Sequence, residues 1–265
     1  MKNNIFSKIG LGRITAIAAN SFQEVIRDRI LYFIGFYALL LGIASRLLPE
    51  IAAGTDEKIF LDLGLGAIGL MSVIVTIFVG TGLINKEIER RTVLVLIPKP
   101  ISRSEFIIGK HLGLSGVVAV LVAVMTVIYL GFSIWTEINY PLDTILVSIL
   151  YLFIELCLLA AVALLFGVFT SSLLATLLSF GTYLMGHLSR ELVKLGNITQ
   201  NQTIQSLTKI LYLVLPDLSR LNLRNEAVYG LLPQPIELLT NFVYSVIYTV
   251  LLLAIAIFIF AKREF

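Results

Sequence analysis

Residues 86–110 read KEIERRTVLVLIPKPISRSEFIIGK, six basic and three acidic side chains set between two long apolar runs. The reading of this block depends on what surrounds it. The chain has 265 residues, 58% hydrophobic and 14% charged, where a soluble domain is about 45–50% apolar and roughly 25% charged. Such an excess, gathered into blocks, marks an integral membrane protein, and the block at 86–110 is then a charged turn between two spans. A formal charge of +3 gives no nucleic-acid footprint, and the single Cys157, inside an apolar block, excludes a disulfide framework.

A span needs about 20 mostly apolar residues. Six stretches qualify: 30–48, 63–84, 106–135, 144–169, 173–188 and 242–261, the fifth being the shortest. They are apolar all round and lack the alternation of barrel strands, which predicts an all-α polytopic membrane protein in one transmembrane domain over 1–265. Before the first span, residues 13–29 are amphipathic at helical spacing. Ile14, Ala18, Phe22, Val25 and Ile26 share one face and Arg13, Asn20, Gln23, Glu24 and Arg27 the other. This predicts an N-terminal interfacial helix rather than a plain extension of the span.

Orientation follows from Lys and Arg. With both termini cytoplasmic, the inner side holds 13 of the 20 basic residues, including the whole 86–110 block, and the outer side holds seven. The expected location is therefore the plasma (inner) membrane, multi-pass, with both termini inside. FTSS at 169–172 reads as a tight inner hairpin between spans four and five. Residues 190–241 form a long outer segment. Its apolar stretch around 210–215 is too short to span and reads as a re-entrant or interfacial helix stopped at Pro216, followed by loop.

Chemistry is sparse. His111 and His187 stand apart in sequence from each other and from Cys157, so no metal site is expected. HExxH and GxSxG are absent. A phosphate-binding loop ending at Gly109 and Lys110 would need Gly at Ser104 and Ser or Thr at His111. No ATP site or other cofactor is expected on this chain. Glu155 is the one acid deep inside a predicted span, and burying its charge costs roughly 2.5 kcal/mol or more. It reads either as a helix-to-helix hydrogen bond or as a substrate-path or proton-relay residue; no basic partner within the membrane is evident. Gly64, Gly66, Gly69, Gly80, Gly82 and the Gly109–Gly113 spacing suit close helix packing.

Within the charged block, KEIERRTVLVLI can prolong the second span as an amphipathic helix. Pro98 and Pro100 then break it. Ser102 three residues before Glu105 is the spacing of a capping box, which starts a new helix. The block is thus a helix, a turn and a helix start: a cytoplasmic coupling elbow between spans two and three, rigid enough to dock a soluble partner.

The elbow also resembles the signature of type-2 ATP-binding-cassette (ABC) transporter permeases, carried by Glu89, Thr92, Pro100, Ser102, Arg103, Gly109 and Lys110. Six spans, the N-terminal helix, the outer segment and the tail AKREF extend that similarity over nearly the whole chain. The resemblance implies a permease, an exporter in most such proteins, paired with a second permease copy, expected as a homodimer. Each copy would seat on a cytoplasmic ABC ATPase, two copies in all, that binds the ATP and magnesium. Glu89, Arg90, Arg91, Thr92, Pro98, Pro100, Ser102 and Arg103 are the ATPase-coupling residues this implies. The alternative is an autonomous channel or proton-coupled carrier using Glu155, for which paired repeats and several intramembrane charges would be expected.

Overall fold

A computed structural model of the chain describes residues 10–26, 30–52, 54–89, 102–198 and 202–262. Among these residues the fold is all-helical. In chain order the helices are α1 (Leu11–Ile26), α2 (Ile30–Ile51), α3 (Asp56–Glu89), α4 (Arg103–Trp135), α5 (Leu142–Phe169), α6 (Ser172–Ile198), α7 (Gln202–Val214), α8 (Arg224–Val228) and α9 (Pro235–Lys262). Arg90, Arg91, Thr92, Pro98 and Pro100 lie outside the described residues, as does the break expected at the two prolines.

Helices α2, α3, α4, α5 and α9 are long and apolar enough to cross a membrane. In hydrocarbon every backbone polar group must find an internal partner, and a continuous helix supplies one. The fifth predicted stretch, 173–188, is helical too but belongs to the longer α6, which is outside that set. Thr176, Ser179, Thr182 and His187 dilute its apolar character. As the sequence predicts, only Thr170 and Ser171 separate α5 from α6.

Burial separates centre from rim. In α3 and α5, 61% and 56% of the most apolar window is buried inside the protein, against 22% in α2 and 17% in α9. The core forms where α3, α4 and α5 meet, around Ile68, Ile77, Leu114, Leu121, Leu156 and Leu159. Tyrosines fix the α2–α3–α4 corner, since the Tyr37 hydroxyl donates to the Gly64 carbonyl at 3.3 Å and the Tyr129 hydroxyl to the Leu61 carbonyl at 3.2 Å. Exposed apolar side chains of α2 and α9, such as Leu39, Ile43, Ile247 and Val250, cover the rim.

Helix α1 has the predicted faces, with Ile14 and Val25 buried and Asn20, Gln23 and Glu24 exposed. Its inward face rests on α4. The seat is made by glycine: a Cβ at Gly109 would come within 2.7 Å of Ile17 Cγ2, and one at Gly113 within 2.8 Å of the Ala18 carbonyl oxygen. The Gly109–Gly113 spacing thus serves close packing, and its partner is the amphipathic helix. The second-span glycines divide. Gly64 and Gly80 lie under Tyr129 and Ala163, Gly66 lies under the Arg224 guanidinium, and Gly82 meets only the Lys86 stem.

The outer segment differs from the expected short helix and loop. Helix α6 runs to Ile198, α7 spans 13 residues and ends just before Pro216, and it exposes Ile210, Leu213 and Val214. The buried part comes afterwards: Asp217, Leu218, Leu221, Leu223, Ala227 and Val228 pack into the bundle. Irregular chain is tolerated there because its polar groups are satisfied by protein. Buried Asp217 accepts from Ser189 Oγ at 3.3 Å, Ser219 Oγ at 2.5 Å and Arg220 Nε at 2.9 Å, and its N–H donates to the Tyr244 hydroxyl at 2.8 Å. Thr144 Oγ1 donates to the Ala227 carbonyl at 2.8 Å and binds the far end to α5.

Candidate functional site

Two polar regions stand out, one at the end of the bundle that carries the elbow and one in the middle. At the elbow, Ser102 is the N-cap of α4 and the reciprocal capping box with Glu105 forms as its spacing predicts. The Glu105 N–H lies 3.2 Å from Ser102 Oγ and the Ser102 N–H 2.7 Å from Glu105 Oε2. The carboxylate also reaches 95 residues back, where its Oε1 accepts from the Gly10 N–H at 2.7 Å and pairs with Arg13 Nε at 3.4 Å. Its side chain is 1% exposed. One acid therefore starts α4 and holds the beginning of α1 against it.

Two further ties converge there. Lys110, 2% exposed, pairs with Glu87 Oε1 at 2.5 Å and sits 5.7 Å from the Phe106 ring centre, so α3 and α4 are joined on either side of residues 90–101. Arg103 Nη1 donates to the Phe260 carbonyl at 3.0 Å and to the Ala261 carbonyl. A cation at that position also suits the negative end of the α9 dipole. Phe106 stacks on Phe260, with ring centres 5.5 Å apart. The structure thus brings Ser102 and Arg103 into a junction of α1, α3, α4 and α9, while Glu89 ends α3 in chain order. Glu105 and Lys110, which the sequence offered as a cap and as part of the signature, prove to be junction residues, and Glu87 is the one that motif reading passed over. The capping box points to Glu105 locally, but nothing in sequence announces Gly10 and Arg13 as its partners.

The second region surrounds Glu155. It lies midway along α5, about 20 Å of helix from Leu142, and is 3% exposed. The expectation that it has no basic partner is corrected here: His187 Nε2 lies 2.8 Å from Glu155 Oε1. The hairpin made the pairing readable. Around Ser171 at its turn, 171 − 155 = 16 and 187 − 171 = 16, so the two residues stand opposite each other on antiparallel helices. Tyr183 packs edge-on against the His187 ring, with centres 4.6 Å apart.

These side chains line a cavity of about 130 Å³ that also receives Ser148 of α5, Gly66 and Gly69 of α3, and Leu221–Arg224 of the buried outer segment. Arg224 lines it as well, its Nε 3.1 Å from Asp62 Oδ1. A side chain at position 66 would strike this guanidinium at 2.9 Å, so Gly66 leaves the space it occupies. His111, the other histidine, bonds the Cys157 carbonyl at 3.0 Å and takes no part in the cavity.

Helices long and apolar enough to cross a membrane, packed around a mid-bundle cavity and tied together at the elbow, are the architecture of a membrane protein. The chain belongs to the ABC-2 family of transporter proteins, whose family model matches residues 15–265, and it is the membrane permease subunit of an ABC transporter rather than its ATPase. No curated protein matches the sequence.

Proposed function

We propose that this permease works as an exporter in the plasma membrane, with both termini cytoplasmic. Two copies pair, and each seats on a cytoplasmic ABC ATPase that binds ATP and magnesium; this chain itself binds neither. The docking surface is the elbow with the start of α1, and Glu89, Arg90, Arg91, Thr92, Pro98, Pro100, Ser102 and Arg103 belong to it or hold it in shape.

One observation carries the reading. Glu105 joins the elbow to α1, Lys110 joins α4 to α3, and Arg103 joins α4 to α9, all at the end of the bundle where basic residues are concentrated. A push delivered there reaches four helices through these ties, of which Glu105 and Lys110 are buried. The positive-inside bias supports placing that end in the cytoplasm.

The arginines separate docking from internal structure. Arg90→Glu with Arg91→Glu is expected to cut retention of the co-expressed ATPase during purification by about tenfold, the scale of losing a charge-paired contact worth about 1.4 kcal/mol, while leaving the melting temperature unchanged. Arg103→Glu instead removes the donor to Phe260 and Ala261 and places an anion at a helix C-terminus. It is expected to cost about 1–2 kcal/mol of stability, read as a lower melting temperature. Full ATPase retention by the Arg90 and Arg91 variant contradicts the docking role.

An autonomous proton-coupled carrier is the second reading, and the Glu155–His187 pair favours it. Transport by this chain reconstituted without any ATPase would select it.

A further inference from the structure

We propose that the mid-bundle cavity is a binding site for a ligand bearing a primary ammonium group on an apolar body, and that the ammonium pairs with the Glu155 carboxylate. Buried carboxylates need a compensating cation. The partner within reach of Glu155 is His187, a hydrogen-bond partner at 2.8 Å rather than a fixed cation. Arg224, by contrast, is paired with Asp62. Among the described residues, the other ionisable groups lining the cavity are Tyr183 from α6 and Arg224 from the outer segment.

Hydrogen-bonding capacity in the cavity points the same way. Glu155 Oε1 is taken by His187, while its second carboxylate oxygen and the hydroxyl-bearing residues Tyr183 and Ser148, the latter 5% exposed, belong to the same cavity lining. Carboxylate and hydroxyl oxygens are acceptors of the kind an ammonium group uses. Leu65, Leu152 and Ile149 line the rest and suit the ligand's apolar portion. An anionic ligand would meet Glu155 and compete with Asp62 for Arg224.

An ammonium supplies the positive charge that the buried carboxylate lacks, and the contact between Glu155 Oε1 and His187 Nε2 is compatible with it, because the carboxylate has a second oxygen. This inference takes the chain to be a permease. It is measured on the full chain without an ATPase, so its failure is distinct from failure of the docking reading.

The probe is benzylamine, with benzyl alcohol as its uncharged counterpart, titrated calorimetrically into the detergent-solubilised full chain. Saturable binding of the amine is expected, with the alcohol about tenfold weaker or worse. Glu155→Gln is expected to weaken the amine at least about tenfold, and Tyr183→Phe a few-fold. If Glu155→Gln does not fold, the amine-to-alcohol ratio in the unaltered chain decides alone. Absence of binding, or equal binding of amine and alcohol, overturns the proposal.

Discussion

Replacing Glu105 by Ala is expected to free α1 from α4 and, with it, to weaken ATPase binding. The carboxylate accepts from the N–H groups of Gly10 and Ser102 and pairs with Arg13, and it is nearly fully buried. Hydrogen bonds to a charged group contribute about 1.5–3 kcal/mol each, and an N-cap interaction about 1 kcal/mol. They are not additive, and Ser102 remains, so a loss of about 3 kcal/mol is expected at the α1–α4 contact. That corresponds to a rise on the order of a hundred-fold in the population with α1 released. Trypsin cleavage after Arg13 should accelerate accordingly, since cleavage requires local opening of the helix. ATPase retention should fall because half of the docking surface is no longer held in place. Cleavage at the rate of the unaltered chain would show that the carboxylate is not what secures α1.

The second large effect is expected from Gly113→Leu. Even the first side-chain carbon would lie 2.8 Å from both the Ala18 carbonyl oxygen and Ser21 Cβ. A carbonyl oxygen within a helix cannot turn aside as a side chain can, so α1 as a whole must move away. Overpacking of this kind costs about 1–3 kcal/mol, and a leucine at a backbone-to-backbone contact belongs at the upper end. Hydrogen exchange along 11–26 should quicken and the melting temperature fall. Gly131→Ala is the control on the same helix. A Cβ there meets nothing within 4 Å, so the change should be neutral or stabilise by up to about 1 kcal/mol through helix propensity. Equal behaviour of the two variants would remove the packing explanation.

What could be read from the sequence was local or periodic. Spans appear because about 20 consecutive apolar residues have few other uses, and the N-terminal helix because its faces repeat at 3.6 residues. The Ser102–Glu105 cap was legible because both partners lie within one turn. Long-range partners were not. Glu105 meets Gly10 across 95 positions, and Arg103 meets Phe260 across 157; neither pairing has a sequence period. Glu155 and His187 fall between these cases. Each looked solitary by composition, yet their equal distance from the two-residue turn places them together once the hairpin is recognised. The outer segment misled for a different reason. Pro216 does end the short apolar helix, but the burial of Asp217 and the residues after it depends on partners from α5, α6 and α9 that no nearby residue signals.

The central claim is that an ATPase acts on this permease at the elbow and α1, on the cytoplasmic side. Hydrogen exchange of the full chain, measured with and without its ATPase bound, tests it most directly. Protection is predicted within 10–26 and 86–110, with the outer segment at 199–234 unchanged. Protection confined to the outer segment, or none at the elbow in a complex that demonstrably forms, would contradict it.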